Sequence, residues 1–135
     1  MSEVFSIKGG TPLKGEVKIG GAKNSVLKLI AASILVPAPV KIHNVPNLTD
    51  VEIMIEVIRQ LGVKVDYDKV EQSVLIDASE ITEITAKYEL VSKMRASFIV
   101  LGALISRCKE AVVALPGGCA IGERKVDFHI KGLEA

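Results

Sequence analysis

Asn24-Ser25-Val26-Leu27-Lys28-Leu29-Ile30-Ala31-Ala32-Ser33-Ile34-Leu35-Val36-Pro37, followed by Val40-Lys41-Ile42-His43-Asn44-Val45-Pro46, is the stretch that decides the fold. The first run is apolar at helical spacing and predicts a helix from about Ser25 to Val36, stopped by Pro37, which cannot continue it. The second run alternates like a strand and is closed by Pro46. Asn47, Thr49 and Asp50 then offer side-chain oxygens for a helix start. Val51, Met54, Ile58 and Leu61 recur at helical spacing, and Gly62 sits where a C-terminal cap belongs. Short strands are expected at residues 63–65 and 74–76. Upstream, Gly20-Gly21-Ala22-Lys23-Asn24-Ser25 suits a helix N-terminus. Residues 7–19 read as two short strands around a Gly/Pro turn.

The same order returns further on. Leu90 to Arg107 reads as one helix and residues 111–115 as a strand closed by Pro116. Asp127 can cap a last helix that runs through Ile130 and Leu133. Helix, strand, loop and helix therefore recur, as a true duplication or as the looser recurrence any α/β chain shows. Pro46 to Asp50 is four steps and Pro116 to Asp127 is eleven, so the second loop carries seven extra residues. These extra residues include Gly117, Gly118, Cys119 and Gly122, and a glycine-rich insertion on a repeating scaffold is a usual place for functional groups.

Composition bounds the function. The chain has 135 residues, 49% apolar and 24% charged, enough for a domain with a core. Its 17 basic and 16 acidic side chains leave a net charge of +1, which exerts no general pull on nucleic acid or anionic membrane. Trp is absent and aromatics total 4%, so a base-stacking surface is not expected. The first residues lack the layout of a signal peptide, and the near-apolar run Val26 to Val36 is too short to cross a bilayer. A cytoplasmic location with Cys108 and Cys119 as reduced thiols is expected. Cys108, Cys119, His43 and His129 lack the paired spacing of a zinc site.

Four places can carry chemistry. Cys119 lies among glycines with Arg124 and Lys125 nearby; cations favour thiolate, Glu123 opposes it, and a small buried hydrophobe is the alternative. Lys23 and Asn24 precede a helix after two glycines, where amide groups and a lysine suit a phosphate or carboxylate; a solvated lysine beside an ordinary cap is the alternative. Arg95 sits in an otherwise apolar segment, where arginine pairs with a carboxylate or an anionic ligand. Arg124 and Asp127 flank the end of the long loop and could hold a phosphate and a sugar or base edge, or pair with each other. Cys108 shares an apolar helical face with Leu101 and Leu104 and reads as buried. His43 and His129 have no acid–base constellation and read as structural or surface groups.

Taken together, Gly20 to Ser25, Asn44 to Val51, Met94-Arg95-Ala96-Ser97, and Leu115 to Gly122 continuing to Gly132-Leu133-Glu134 resemble the enolpyruvyl transferases. The match is to the branch that acts on UDP-N-acetylglucosamine and covers essentially the whole chain. The cysteine loop is its most specific part, since it separates this branch from the sibling that makes 5-enolpyruvylshikimate 3-phosphate. The resemblance implies an α/β fold of repeated βα units, the inside-out α/β barrel type, present here incompletely. On that pattern residues 1–22 are strands that pair with a second domain. Residues 23–135 are part of a first domain, with two βα repeats and the cysteine loop.

The resemblance also implies a reaction, in which the enolpyruvyl group of phosphoenolpyruvate passes to the 3′-hydroxyl of UDP-N-acetylglucosamine and phosphate leaves. Cys119 matches the loop acid or nucleophile. Lys23 and Asn24 match the phosphoenolpyruvate pair, with Lys23 also catalytic. Arg95, Arg124, Lys125, Val126, Asp127 and Phe128 match positions that contact the UDP-sugar. No metal, cofactor, nucleic acid or membrane is implied. Fosfomycin is expected to alkylate Cys119. Lys125 stands where the family pattern has Pro, and Phe128 where it has Leu. The deprotonating acid and several phosphate-clamping arginines fall outside the match, so the isolated polypeptide is expected to lack turnover. A non-catalytic nucleotide-sugar-binding or interaction domain, and the sibling transferase, are the competing readings.

Overall fold

The computed structural model describes residues 4–115 and 126–134. Helix α1, Lys23–Ser33, is followed by strand β1, Pro39–His43, and helix α2, Thr49–Gln60. Strands β2, Lys64–Asp68, and β3, Ser73–Asp77, form a hairpin. β3 also pairs antiparallel with β1, so the three-stranded sheet has the order β1-β3-β2. In this register Ile42 faces Val74 and Val40 faces Ile76, with Tyr67 and Val65 opposite the same two residues on the other side. That face carries the buried Ile42, Val74 and Ile76, while Lys41, Asp66 and Leu75 point away from it.

Helices α1 and α2 cover the apolar face of the sheet. α1 buries Val26, Leu27, Ile30 and Ala31, and α2 buries Val51, Met54, Ile55, Val57 and Ile58. This spacing turns one stripe of each helix inward, where each large side chain contributes about 1.5–3 kcal/mol by leaving water. Both helices start without the expected side-chain caps: Ala22 and Leu48 occupy the cap positions, and α1 begins at Lys23 rather than Ser25. Asn47 is engaged elsewhere. Its Oδ1 accepts from the Tyr67 hydroxyl at 2.8 Å and its Nδ2 donates to the Lys69 carbonyl at 3.1 Å, pinning the hairpin to the entry of α2.

A second, smaller sheet joins β4, Thr85–Ala86, in parallel to β5, Val112–Val113. β4 was not legible in sequence, because two residues are too few to show alternation. Between these strands the single helix expected over residues 90–107 is broken into α3, Tyr88–Val91, a 3-10 turn, Arg95–Ile99, and α4, Val100–Cys108. Met94 is extended at φ −146° and ψ 112°. The buried Ser97 hydroxyl donates to the carbonyls of Met94 and Val91, a local bonding pattern that competes with the helical ladder. The last helix, α5, spans Asp127–Glu134. Asp127 lies inside its first turn, and the carbonyl of Val126 accepts the first amide bonds, from His129 and Ile130.

The order helix, strand, helix thus recurs as α1-β1-α2 and α4-β5-α5, but the strand pairing does not. β1 pairs antiparallel and β5 parallel. No strand forms over residues 4–22, where two were expected. Val17 and Ile19 are exposed there, and an isolated strand leaves its backbone groups without a ladder. Cys108 is a free thiol that packs against the core on the expected helical face but is half-buried rather than buried, because α4 ends at this residue.

Two contacts hold the layers in place. Gly62 ends α2 at φ +87°, and a Cβ there would overlap the Thr82 hydroxyl oxygen and lie 3.0 Å from the Thr82 amide nitrogen. Gly62→Ala is therefore expected to cost about 1–3 kcal/mol and to lower the melting temperature measured by circular dichroism; an unchanged melting temperature would contradict this. Arg107 donates to the carbonyls of Ile34 at 3.0 Å, Ala78 at 3.1 Å and Ser79 at 3.2 Å, tying α4 to the end of α1 and the exit of β3. Arg107→Ala is expected to lose about 1–3 kcal/mol in urea denaturation. Arg107→Lys should recover only part, since a point charge cannot reproduce the planar fork.

Candidate functional site

A cleft of about 760 Å3 opens between α1, the 3-10 turn with α4, and α5. Asn24 and Lys28 reach it from α1, one helical turn apart on the same side. Arg95 enters from the first position of the 3-10 turn, which begins after the extended Met94, three residues beyond the end of α3. Val126 and Phe128 close the third side. Residues 71 positions apart in the chain, Asn24 and Arg95, thus share one cavity.

The floor is apolar. Leu27, Ile99, Leu101 and Leu133 line it, with Phe98 only 8% exposed. His129 stands edge-on to the Phe98 ring, with centroids 6.4 Å apart and planes at 89°. This is a favourable aromatic arrangement. Phe128 is 79% exposed and presents a large flat surface at the rim. No Asp or Glu is among the described residues that line the cleft, whereas Lys28 and Arg95 are. The cavity therefore suits a ligand with an anionic part and an apolar or flat part.

Of the residues singled out from sequence, the structure brings together Asn24, Arg95, Val126 and Phe128. Lys23 is adjacent in sequence but does not line the cleft. Its Nζ lies 2.7 Å from Asp50 Oδ2, at the first turn of α2. Asp127 is on α5 outside the cleft lining. Cys119, Arg124 and Lys125 lie outside the described residues, as does the glycine-rich loop. Sequence reading missed Lys28 and His129 as cleft residues. The i, i+4 relation of Lys28 to Asn24 was the available signal for the first. For His129 no pattern in the chain announced that Phe98 would pack against it.

Gly21 explains the approach of Lys23 and Asn24 to the end of β1. A Cβ on Gly21 would overlap the Asn44 carbonyl oxygen and lie 3.3 Å from Pro46 Cδ. Only glycine lets the chain pass this close before α1 begins.

The pattern that defines the EPSP synthase family (3-phosphoshikimate 1-carboxyvinyltransferase) matches residues 7–135. The chain belongs to this family, the enolpyruvyl transferases. More particularly, it is 50% identical over 132 residues to the UDP-N-acetylglucosamine 1-carboxyvinyltransferase of Methylacidiphilum infernorum, covering 98% of this chain and 31% of that protein. It is 51% identical over 131 residues to the enzyme of the same name from Acinetobacter baylyi, covering 97% and 31%. Among solved structures, the enolpyruvyl transferase NikO from Streptomyces tendae superimposes with a TM-score of 0.65 at 32% identity, over 73% of this chain and 23% of that one. The chain thus spans under a third of the length of the curated relatives it matches.

The Lys23–Asp50 pair is half in solvent, and an ion pair so placed is worth little. Asp50→Asn is expected to change the unfolding free energy by less than about 1 kcal/mol. A loss above about 2 kcal/mol in urea denaturation would show that Asp50 has a larger structural role than this contact implies.

Proposed function

We propose that the protein transfers the enolpyruvyl group of phosphoenolpyruvate to the 3′-hydroxyl of UDP-N-acetylglucosamine, releasing phosphate, as a cytoplasmic step of peptidoglycan synthesis. The observation that carries this reading is the cationic cleft that joins Asn24, Arg95, Val126 and Phe128 from three separate segments. The names of the relatives and the cysteine in the loop favour the UDP-sugar over a shikimate acceptor.

In this reading the sugar 3′-hydroxyl loses its proton to a base and its oxygen adds to C2 of phosphoenolpyruvate while C3 gains a proton, giving a tetrahedral adduct. The C2–O bond to phosphate then breaks and C3 loses a proton, giving the enol ether. Cys119 supplies the proton as a general acid, and as thiolate it can add to C2 instead. Lys23 and Asn24 hold phosphoenolpyruvate. For Lys23 this requires leaving Asp50 for the incoming anion. Arg95 and the run Arg124, Lys125, Val126, Asp127 and Phe128 hold the UDP-sugar. Fixed cations beside the adduct stabilise charge that grows during addition. Residues 1–22 pair with a second domain, and the remaining catalytic groups come from regions of the full-length protein beyond this chain.

The test is phosphate release by the full-length protein with both substrates. Cys119→Ser should lower the rate by about 10²–10⁴-fold. The 135-residue chain alone should release none. Fosfomycin should leave its adduct on the peptide containing Cys119 in mass spectrometry. Release with shikimate 3-phosphate in place of the UDP-sugar would move the protein to the sibling reaction. Binding of UDP-N-acetylglucosamine without turnover by the full-length protein would make it a binding domain.

A further inference from the structure

We infer that Lys28 is an anion-binding residue of the cleft, which together with Arg95 receives the phosphate groups of the ligand. The inference rests on the nucleotide-sugar reading above. It adds a residue that neither the resemblance nor any motif in the chain singles out.

Position makes the case first. Lys28 lies four residues after Asn24 on α1, so their Cβ atoms are about 5–6 Å apart on one face, and both line the cleft. Neighbours on the same helix, Val26, Leu27 and Ile30, are buried in the core, which fixes the helix rotation and leaves Lys28 no choice of side. Arg107 fixes the far end of α1 through the Ile34 carbonyl. The lysine stem therefore starts from a rigid base.

Charge makes the case second. Among the described residues Lys28 has no ion pair and no hydrogen bond, although Lys23, on the same helix, does. None of the described cleft residues is acidic, so none of them competes with an incoming anion for the ammonium group. Beside it are Arg95, which can grip phosphate oxygens in a planar fork, and the apolar floor of Leu27 and Phe98, which lowers solvent screening. A lysine and an arginine facing one cavity suit two adjacent phosphates better than a single carboxylate. The geometry therefore favours the diphosphate of the nucleotide-sugar over the smaller phosphoenolpyruvate, which the α1 N-terminus serves.

Isothermal titration of the full-length protein tests this with UDP-N-acetylglucosamine, inorganic pyrophosphate, phosphoenolpyruvate and uridine. Lys28→Ala should weaken UDP-N-acetylglucosamine and pyrophosphate about tenfold, a change equivalent to ~1.4 kcal/mol. Uridine and phosphoenolpyruvate should stay within about twofold, in keeping with a lost charge contact rather than lost packing. Lys28→Arg should restore most of the affinity. The salt dependence of UDP-N-acetylglucosamine binding should become shallower in Lys28→Ala. Because Lys28 is exposed, the melting temperature serves as a control and should not move. Equal affinities of wild type and Lys28→Ala for both phosphates, or an equal loss for uridine, would overturn the inference. If phosphoenolpyruvate alone weakens, the residue serves the other substrate and the diphosphate assignment fails. If the wild type ignores UDP-N-acetylglucosamine yet binds pyrophosphate through Lys28, the anion clamp stands and the nucleotide-sugar reading falls.

Discussion

The packing of α1 against α2 over the apolar face of the β1-β3-β2 sheet is the constraint from which the rest follows. Leu27, Ile30 and Ile34 from the α1 segment meet Met54, Ile58 and Ile76 in a core from which water is excluded. Close-packed interiors tolerate little rotation of a helix, because turning it would expose these side chains and open voids. Once the inward stripe is set, the direction of Asn24 and Lys28 is set with it. The tight passage of Gly21 past Asn44 and the grip of Arg107 on Ile34 fix the two ends of the same helix.

The other wall of the cleft depends on a break. An unbroken helix through residues 90–107 would carry Arg95 on a continuous cylinder. Instead Met94 is extended and buried, Ser97 bonds back to the carbonyls of Val91 and Met94, and a 3-10 turn restarts the chain at Arg95. Buried hydroxyl groups need partners, and Ser97 finds them in the carbonyls the break sets free. A deviation from regular structure next to a charged residue in a cavity is common where a chain positions a functional group.

The cleft combines an apolar floor, an exposed Phe128 and two cationic side chains, and no Asp or Glu is among the described residues that line it. This suits a ligand with a flat end and an anionic end, and membership of the enolpyruvyl transferase family gives that chemistry a context. The chain covers 31% of its relatives from Methylacidiphilum infernorum and Acinetobacter baylyi. Family membership alone does not assign a role to any side chain; the convergence of Asn24, Lys28 and Arg95 on one cavity does more.

By itself the sequence determined the core helices, the strands β1 and β3 and the stop at Gly62. Each is governed by local periodicity or by the intrinsic geometry of glycine and proline. It also singled out Asn24 and Arg95 by residue chemistry, and Val126 and Phe128 through the resemblance to the enolpyruvyl transferases. Tertiary structure alone decided the antiparallel pairing of β1 against the parallel pairing of β5, the two-residue β4, the broken helix at Met94, and the use of Asn47 to pin the hairpin rather than cap α2. It alone placed Lys28 and His129 in the cleft and turned Lys23 toward Asp50. The physical reason is the same in each case. Periodicity along the chain says which face of an element avoids water, but a polar side chain on the other face meets whatever long-range packing sets opposite it.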